Sequence, residues 1–197
     1  MPPNDPLAAL VAEHTHPEAN DETRAVHRRI LAAATDPARH VTEEELARVV
    51  RHIAGAGFDP HALERARGNL VGALRPNGEG VAPRDRLGPG EIHYLRHVVV
   101  GREWPDGTTP EEYFSNAASI VRDPSSRIFA SRYQGVWQCG FIAKNVLPWG
   151  PQGKAWIIVD YRLSTGHWTT VFQWGHGPEN LADPILDARR EELRWLR

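Results

Sequence analysis

The sequence predicts an α+β protein: an all-helical N-terminal region followed by a small domain of two helices packed on a four-stranded antiparallel sheet. Three observations carry that expectation. Apolar residues recur at helical spacing through the first 74 residues. The stretch "RPNGEGVAPRDRLGPG" at 75–90 then concentrates Pro, Gly and charge without periodicity. After it, two helical runs precede four strand-like runs arranged as two hairpins. The expected organisation is a helical region at 1–74, a linker or long loop at 75–90, and an α+β domain at 91–197 that closes with a C-terminal helix.

"DETRAVHRRILAAAT" opens on Asp21 as N-cap and sets Ala25, Ile30, Leu31 and Ala34 on one apolar face. "TEEELARVVRHIAGAG" starts with a capping-box pattern, Thr42 to Glu45, and ends in glycines suited to a C-terminus. "DPHALERARGNLVGAL" reads as a third helix, with Asp59 before it and Pro60 at its first position. Beyond the linker, "EIHYLRHVVV" reads as a helix and "GREWPDGTTP" as turns. "EEYFSNAASIVRD" is a helix that follows Thr109 and Pro110 and stops before Pro124. "RIFASRY" and "VWQCGFIA" flank Gln134-Gly135, a two-residue hairpin connection, while "AWIIVDYRL" and "HWTTVFQW" flank the longer "STG". The tail "PILDARREELRWLR" reads as the closing helix, with Ile185, Leu186, Leu193 and Trp195 covering the fold.

At 197 residues the chain is long enough to bury a core in one or two domains. The opening stretch has no basic n-region and does not read as a secretory signal, and no run approaches the ~20 apolar residues of a membrane span. The single Cys139 excludes an internal disulfide and a cysteine-based zinc cage. A reducing cytoplasm is the expected location, with delivery into another cell by a signal-independent machine consistent with the same features. The net charge of −2 hides an asymmetry: between Pro124 and Arg162 five basic residues face Asp160 alone, on a segment read as sheet.

Residues 91–97, "EIHYLRH", put His93 and His97 four apart on one helix face with Arg96 on its flank. That face could hold a metal, a proton-transfer site or plain packing. A metalloprotease helix would place Glu directly after the first histidine, where this chain has Tyr94, and a third ligand is not evident. No Gly-x-Ser-x-Gly elbow and no P-loop is present, and Cys139 sits in an apolar strand that reads as core. The residue pattern points to acid–base chemistry on a basic sheet, because imidazoles exchange protons near neutrality and arginines hold phosphate. That toolkit suits a ribonuclease that needs no metal or other cofactor and activates the ribose 2′-hydroxyl against the adjacent phosphate. Arg132 and Arg162 enter as substrate-binding candidates from charge and strand placement. His167 enters because it opens the last strand near the same end. Thr169 and Thr170, as adjacent strand residues, should point to opposite faces.

"HYLRH" on a first helix, "PEEYFSNAASIVRDP" as a second, and strands ending in "GHWTTVFQ" resemble the barnase/EndoU/colicin/RelE-like ribonuclease superfamily, nearest to toxin domains of phage and polymorphic-toxin proteins. The resemblance spans about residues 89–174. It implies an RNA-cleaving toxin or effector with His93 and His97 as acid–base residues, Arg96 as a phosphate contact and Thr170 as the polar residue of the final strand. It also implies RNA as partner, tRNA or another structured RNA among the choices, and a cognate inhibitor protein. The chain departs from this pattern in being mildly acidic and in carrying some 88 residues before the matched part. The rival expectations are a non-catalytic protein-binding module, antitoxin-like, immunity or phage-encoded, anchored by aromatic-rich strands, and a metal-dependent hydrolase.

Overall fold

The computed structural model describes residues 5–59, 93–145 and 154–197. The helix expected over 59–74, apart from Asp59, and the linker expected at 75–90 lie outside the described residues.

Helices α1 (Pro6–His14), α2 (Asp21–Thr35) and α3 (Glu43–Ala56) open the chain. The sequence reading gave no helix to α1, which starts where Asp5 Oδ1 accepts from the backbone N–H groups of Leu7 and Ala8. The N-cap of α2 is Asn20, one residue earlier than expected, and its side chain accepts from Thr23 N at 2.8 Å. The capping box of α3 forms as the sequence indicates, with Glu45 N donating to Thr42 Oγ1 at 3.2 Å and Thr42 N to Glu45 Oε2 at 3.1 Å. Helix α4 (Pro110–Arg122) starts with a second box, between Thr109 and Glu112.

The strands are β1 (Arg127–Tyr133), β2 (Val136–Lys144), β3 (Trp156–Arg162), β4 (His167–Trp174) and β5 (Arg190–Trp195). They form one antiparallel sheet in the order β4-β3-β2-β1-β5. The first hairpin turns at Gln134 (φ 52°) and Gly135 (φ 79°), the two positive φ values that match the twist of the flanking strands.

The fold class is therefore α+β, with five strands where the sequence reading expects four. The fifth corrects the C-terminal helix. Residues 190–195, rich in helix formers, pair with the exposed edge of β1 instead, because an unpaired sheet edge offers a full ladder of backbone partners. Ile185 stays 90 % exposed rather than covering the core.

Helices occupy one face of the sheet. Helix α2 lies against β1 and β5, α4 against β2, β3 and β4, and α3 against α4 and β4. Their apolar faces (Val26, Ile30, Leu31, Leu46, Val49, Ile53, Tyr113, Ala117 and Val121) join Ile128, Cys139, Phe141, Val159 and Val171 in one continuous core. Each fully buried aliphatic side chain contributes about 1.5–3 kcal/mol to that packing. His27 crosses it as a satisfied polar group, fully buried, with Thr15 Oγ1 3.0 Å from Nδ1 and Tyr161 OH 2.8 Å from Nε2.

Side chains alternate along a strand, so the other residues face away from the helices. At one end of that second face Phe129, Ile142, Ile158 and Leu181 form a small apolar cluster with Phe172, Trp174 and Trp195 around it. At the other end the face is polar, and there it opens into a pocket. Among the described residues no helix is long and apolar enough to cross a membrane.

Candidate functional site

A helical segment leads to the pocket. His93 and Tyr94 begin it, and Leu95–Val100 continue as a π-helix, with Gly101 N donating to Arg96 O at 2.8 Å. Such wide turns are uncommon and concentrate at functional positions. Tyr94 pins the segment to the core by donating to Thr108 O at 2.7 Å. This leaves His93 and His97 on one side, as the spacing requires, with parallel rings 5.5 Å apart and 6° between planes. His97 in turn stacks on Phe172 of β4 at 5.8 Å.

The cavity has a volume of about 470 Å³. His93, Arg96, His97, Arg162 and Thr170 all line it, so five of the seven residues selected from sequence converge on one site. The other two do not. Arg132 ion-pairs with Glu192 at 2.6 Å across β1 and β5 and is not among the lining residues. His167 lies beside the end of α3, its Nδ1 3.4 Å from Ala56 O, in a separate depression with His16 and His52. Thr169 and Thr170 both line the pocket, against the expectation of opposite faces. The register shifts between Asp160 and Tyr161, Thr169 is the extra residue of that bulge, and bulges re-aim side chains in this way.

Sequence reasoning missed Glu103, which the turn-rich stretch concealed. Arg102 takes φ 48°, a left-handed conformation costly for a non-glycine residue, and this folds the next residue back beneath His97. Glu103 N then donates to His97 O at 2.8 Å, Oε2 lies 3.1 Å from His97 Nδ1, and Oε1 lies 3.2 Å from Lys154 Nζ. Gln173 Nε2 donates to Glu103 O. Burial pushes the Glu103 carboxyl up, but His97 and Lys154 outweigh it and hold the group below its usual range. Burial has the larger hand at His93. With added repulsion from His97, Arg96, Arg162 and Arg189, it drives the imidazole down to about 3, so His93 is neutral across the physiological range.

The pocket floor holds a buried ion pair. Arg190 Nη2 meets Asp160 Oδ2 at 3.0 Å, its Nη1 donates to Ser131 Oγ at 3.0 Å, and Asp187 stands 3.6 Å from its Nε. Burial works against the Arg190 charge, and Asp160, followed by Asp187, overcomes this and raises the group. Only a fifth strand brings Arg190 here, so reading the tail as a helix hid it. Among the described residues, His93 Nδ1, His97 Nδ1, Glu103 Oε2, Gln138 Oε1, Arg162 Nε, Thr170 Oγ1, Trp174 Nε1 and Arg190 Nε are buried in the pocket lining without a hydrogen bond, the His97–Glu103 contact being an ion pair by distance rather than an aligned hydrogen bond. Unsatisfied polar atoms are rare inside proteins, and their concentration at one cavity marks it as the candidate site.

The arrangement supplies a neutral imidazole, a second imidazole backed by a carboxylate, and the guanidinium groups of Arg96, Arg162 and Arg189 within one concave surface. It can accept a proton, donate one and hold an anion. Among the described residues no group of three His, Cys, Asp or Glu side chains is arranged to hold a metal ion. Compared with protein-family models, curated proteins and solved structures, the chain matches none.

Proposed function

We propose that this pocket cleaves RNA by transphosphorylation, as an endoribonuclease that uses no metal. The observation that carries the reading is the stacked His93–His97 pair, backed by Glu103 and ringed by Arg96, Arg162 and Arg189. Neutral His93 takes the proton of the ribose 2′-hydroxyl, and the 2′-oxygen attacks the adjacent phosphorus. The 5′-oxygen leaves with a proton from His97, giving a 2′,3′-cyclic phosphate and a 5′-hydroxyl. Glu103 stabilises positive charge on the His97 ring. Arg96 and Arg189 hold the phosphate, while Thr170 lines the pocket wall with its hydroxyl enclosed beside Tyr113. A toxin or effector acting on cytoplasmic RNA, held in check by an inhibitor protein, is the setting this reading implies.

The test is incubation of the full chain with total RNA in excess chelator, with mapping of the new ends. Wild type should produce cyclic-phosphate ends. His93→Ala and His97→Ala should each lose on the order of 10²-fold or more, the usual weight of an acid–base group. A loss below about threefold in both variants, with the fold intact by circular dichroism, ends the proposal. Absence of cleavage by the wild type moves the reading to a protein-binding module.

A further inference from the structure

Glu103 has one carboxylate and two basic partners, and the pocket sets them on its two oxygens. Oε2 lies 3.1 Å from His97 Nδ1, and Oε1 lies 3.2 Å from Lys154 Nζ. The lysine is anchored through its main chain. Its N–H donates to Gln173 Oε1 at 3.2 Å, Asn145 Nδ2 donates to its carbonyl at 2.9 Å, and Gln173 Nε2 donates in turn to Glu103 O. The backbones of Lys154 and Glu103 are thereby tied to one amide, and their side chains meet through charge alone. The Lys154 side chain is 35 % exposed against 20 % for Glu103, so the ammonium is the partner able to leave the carboxylate. Lys154 lines the cavity together with Arg96, Arg162 and Arg189, and an anion held by those guanidinium groups competes with Glu103 for it.

Resting on the ribonuclease reading, we infer that Lys154 is a positioning residue that shares the Glu103 carboxylate with His97: an anion entering the pocket draws the ammonium onto itself and leaves the carboxylate to His97, which takes up a proton. The argument is one of charge. Without an anion, Glu103 is matched by Lys154, and a proton on His97 adds positive charge to a cavity that already holds Arg96, Arg162 and Arg189. With an anion bound, Lys154 and the arginines face it, and the carboxylate 3.1 Å from the imidazole is left to that ring. An opposite charge within about 4–6 Å favours the charged form of an ionisable group. The other charged and titratable groups around His97 are His93 and Arg96 on its own segment, Arg162 on β3, Asp187 and Arg189 ahead of β5, and the Asp160–Arg190 pair. Both aspartates already meet Arg190, so Glu103 is the carboxylate that answers to His97. Anion binding and proton uptake are then coupled in both directions, each favouring the other by the same factor. In the proposed reaction, the general acid is loaded as the scissile phosphate arrives.

The experiment titrates sulfate, a tetrahedral anion that carries no proton of its own near neutrality, into the full chain by calorimetry in two buffers of different ionisation enthalpy. The difference between them counts the protons taken up. At about pH 7.5 the wild type should take up roughly half a proton or more per sulfate, and its sulfate affinity should rise about tenfold from about pH 8.5 to about pH 6.5. His97→Gln should abolish the uptake, which identifies the ring. Lys154→Met removes the ammonium and keeps both main-chain hydrogen bonds, so the carboxylate belongs to His97 with or without sulfate, and uptake should fall by about threefold or more. Lys154→Arg keeps the charge and should retain most of it. A lysine with a merely structural role would change the melting temperature and leave the uptake as it was. Sulfate bound without proton uptake by the wild-type chain, or no sulfate binding at all, overturns the inference without any variant having to fold. So does an uptake undiminished in His97→Gln or Lys154→Met. RNA cleaved to cyclic-phosphate ends beside any of these results leaves the ribonuclease standing. Sulfate-linked uptake at His97 in a chain that cleaves no RNA strikes the ribonuclease and keeps the coupling of anion and proton.

Discussion

Glu103 Oε2 lies 3.1 Å from His97 Nδ1, and the same carboxylate reaches Lys154 through its other oxygen. The two atoms lie at ion-pair distance without an aligned hydrogen bond, so the carboxylate acts on the ring through its charge. Glu103→Gln keeps the shape and removes that charge. On the proposed ribonuclease reading, RNA cleavage by this variant should fall by about 10²-fold, while its thermal midpoint stays near that of the wild type. Rates measured beside melting curves check this, and an unchanged rate would remove Glu103 from the mechanism.

His27 and His93 are both driven down to about 3 in the folded chain, mainly by burial, with lesser repulsion from His52 at His27 and from His97 at His93. In the unfolded chain each takes up a proton near 6.5. The unfolded state therefore binds more protons throughout the interval between those values. Their contribution to stability is complete above pH 6.5 and is lost as pH falls towards 3, by about 1.4 kcal/mol per pH unit for each histidine. Unfolding free energies from urea titrations between pH 7.5 and about 4.5 should fall steadily, by about 3 kcal/mol per histidine at the lower end. His27→Phe should begin less stable, because Thr15 and Tyr161 lose their partner, but its stability should decline less steeply with acid. Parallel slopes for the two proteins would show that His27 does not titrate in this way.

What the sequence disclosed depended on how local the signal was. Capping boxes at Thr42 and Thr109 and the Gln134-Gly135 turn are short-range patterns, and each appears where its residues indicate. The pairing of His93 with His97 is equally local, needing one helix face. Glu103 and Arg190 are different. The first reaches His97 only because Arg102 adopts a left-handed turn, and the second reaches Asp160 only because the tail joins a sheet edge sixty residues earlier in the chain. Neither event has a periodicity to read. Arg132 and His167 carry no signal beyond charge and strand placement, and a strand has two faces and two ends. Arg132 meets Glu192 on β5, and His167 meets the last turn of α3.

Gly140 on β2 sits beneath the ring of Phe129, its cross-strand neighbour on β1. A methyl group at Gly140 would fall 2.1 Å from Phe129 Cζ, well inside contact distance. The ring cannot swing freely, because the Arg190 guanidinium lies 5.1 Å from its centroid on the pocket side and Trp195 packs edge-on at 5.6 Å. Gly140→Ala should therefore destabilise the fold by about 1–3 kcal/mol, the usual cost of overpacking. Replacing Phe129 by Leu in the same chain should recover part of that loss, so the double variant costs less than the two single ones together. Additive losses in denaturant titrations would show that the ring is not what the methyl meets.

Asp160 and Arg190 form the buried ion pair in the pocket floor, 3.0 Å apart with both side chains almost wholly enclosed. Removing either partner strands a charge away from water, so Asp160→Asn or Arg190→Met alone should cost about 3–5 kcal/mol. The stranded guanidinium of Asp160→Asn keeps Asp187 at 3.6 Å and Ser131, which places it at the lower end of that range. The stranded carboxylate of Arg190→Met loses the one ion pair it makes among the described residues, which places it at the higher end. Combining Asp160→Leu with Arg190→Met replaces the pair by apolar volume and should cost less than either single change, since desolvating two charges offsets most of what their attraction gains. Thermal unfolding of the three variants measures this ordering. A double variant as unstable as the sum of the two single changes would mean that the pair itself, rather than the burial of unpaired charge, holds β5 against the pocket.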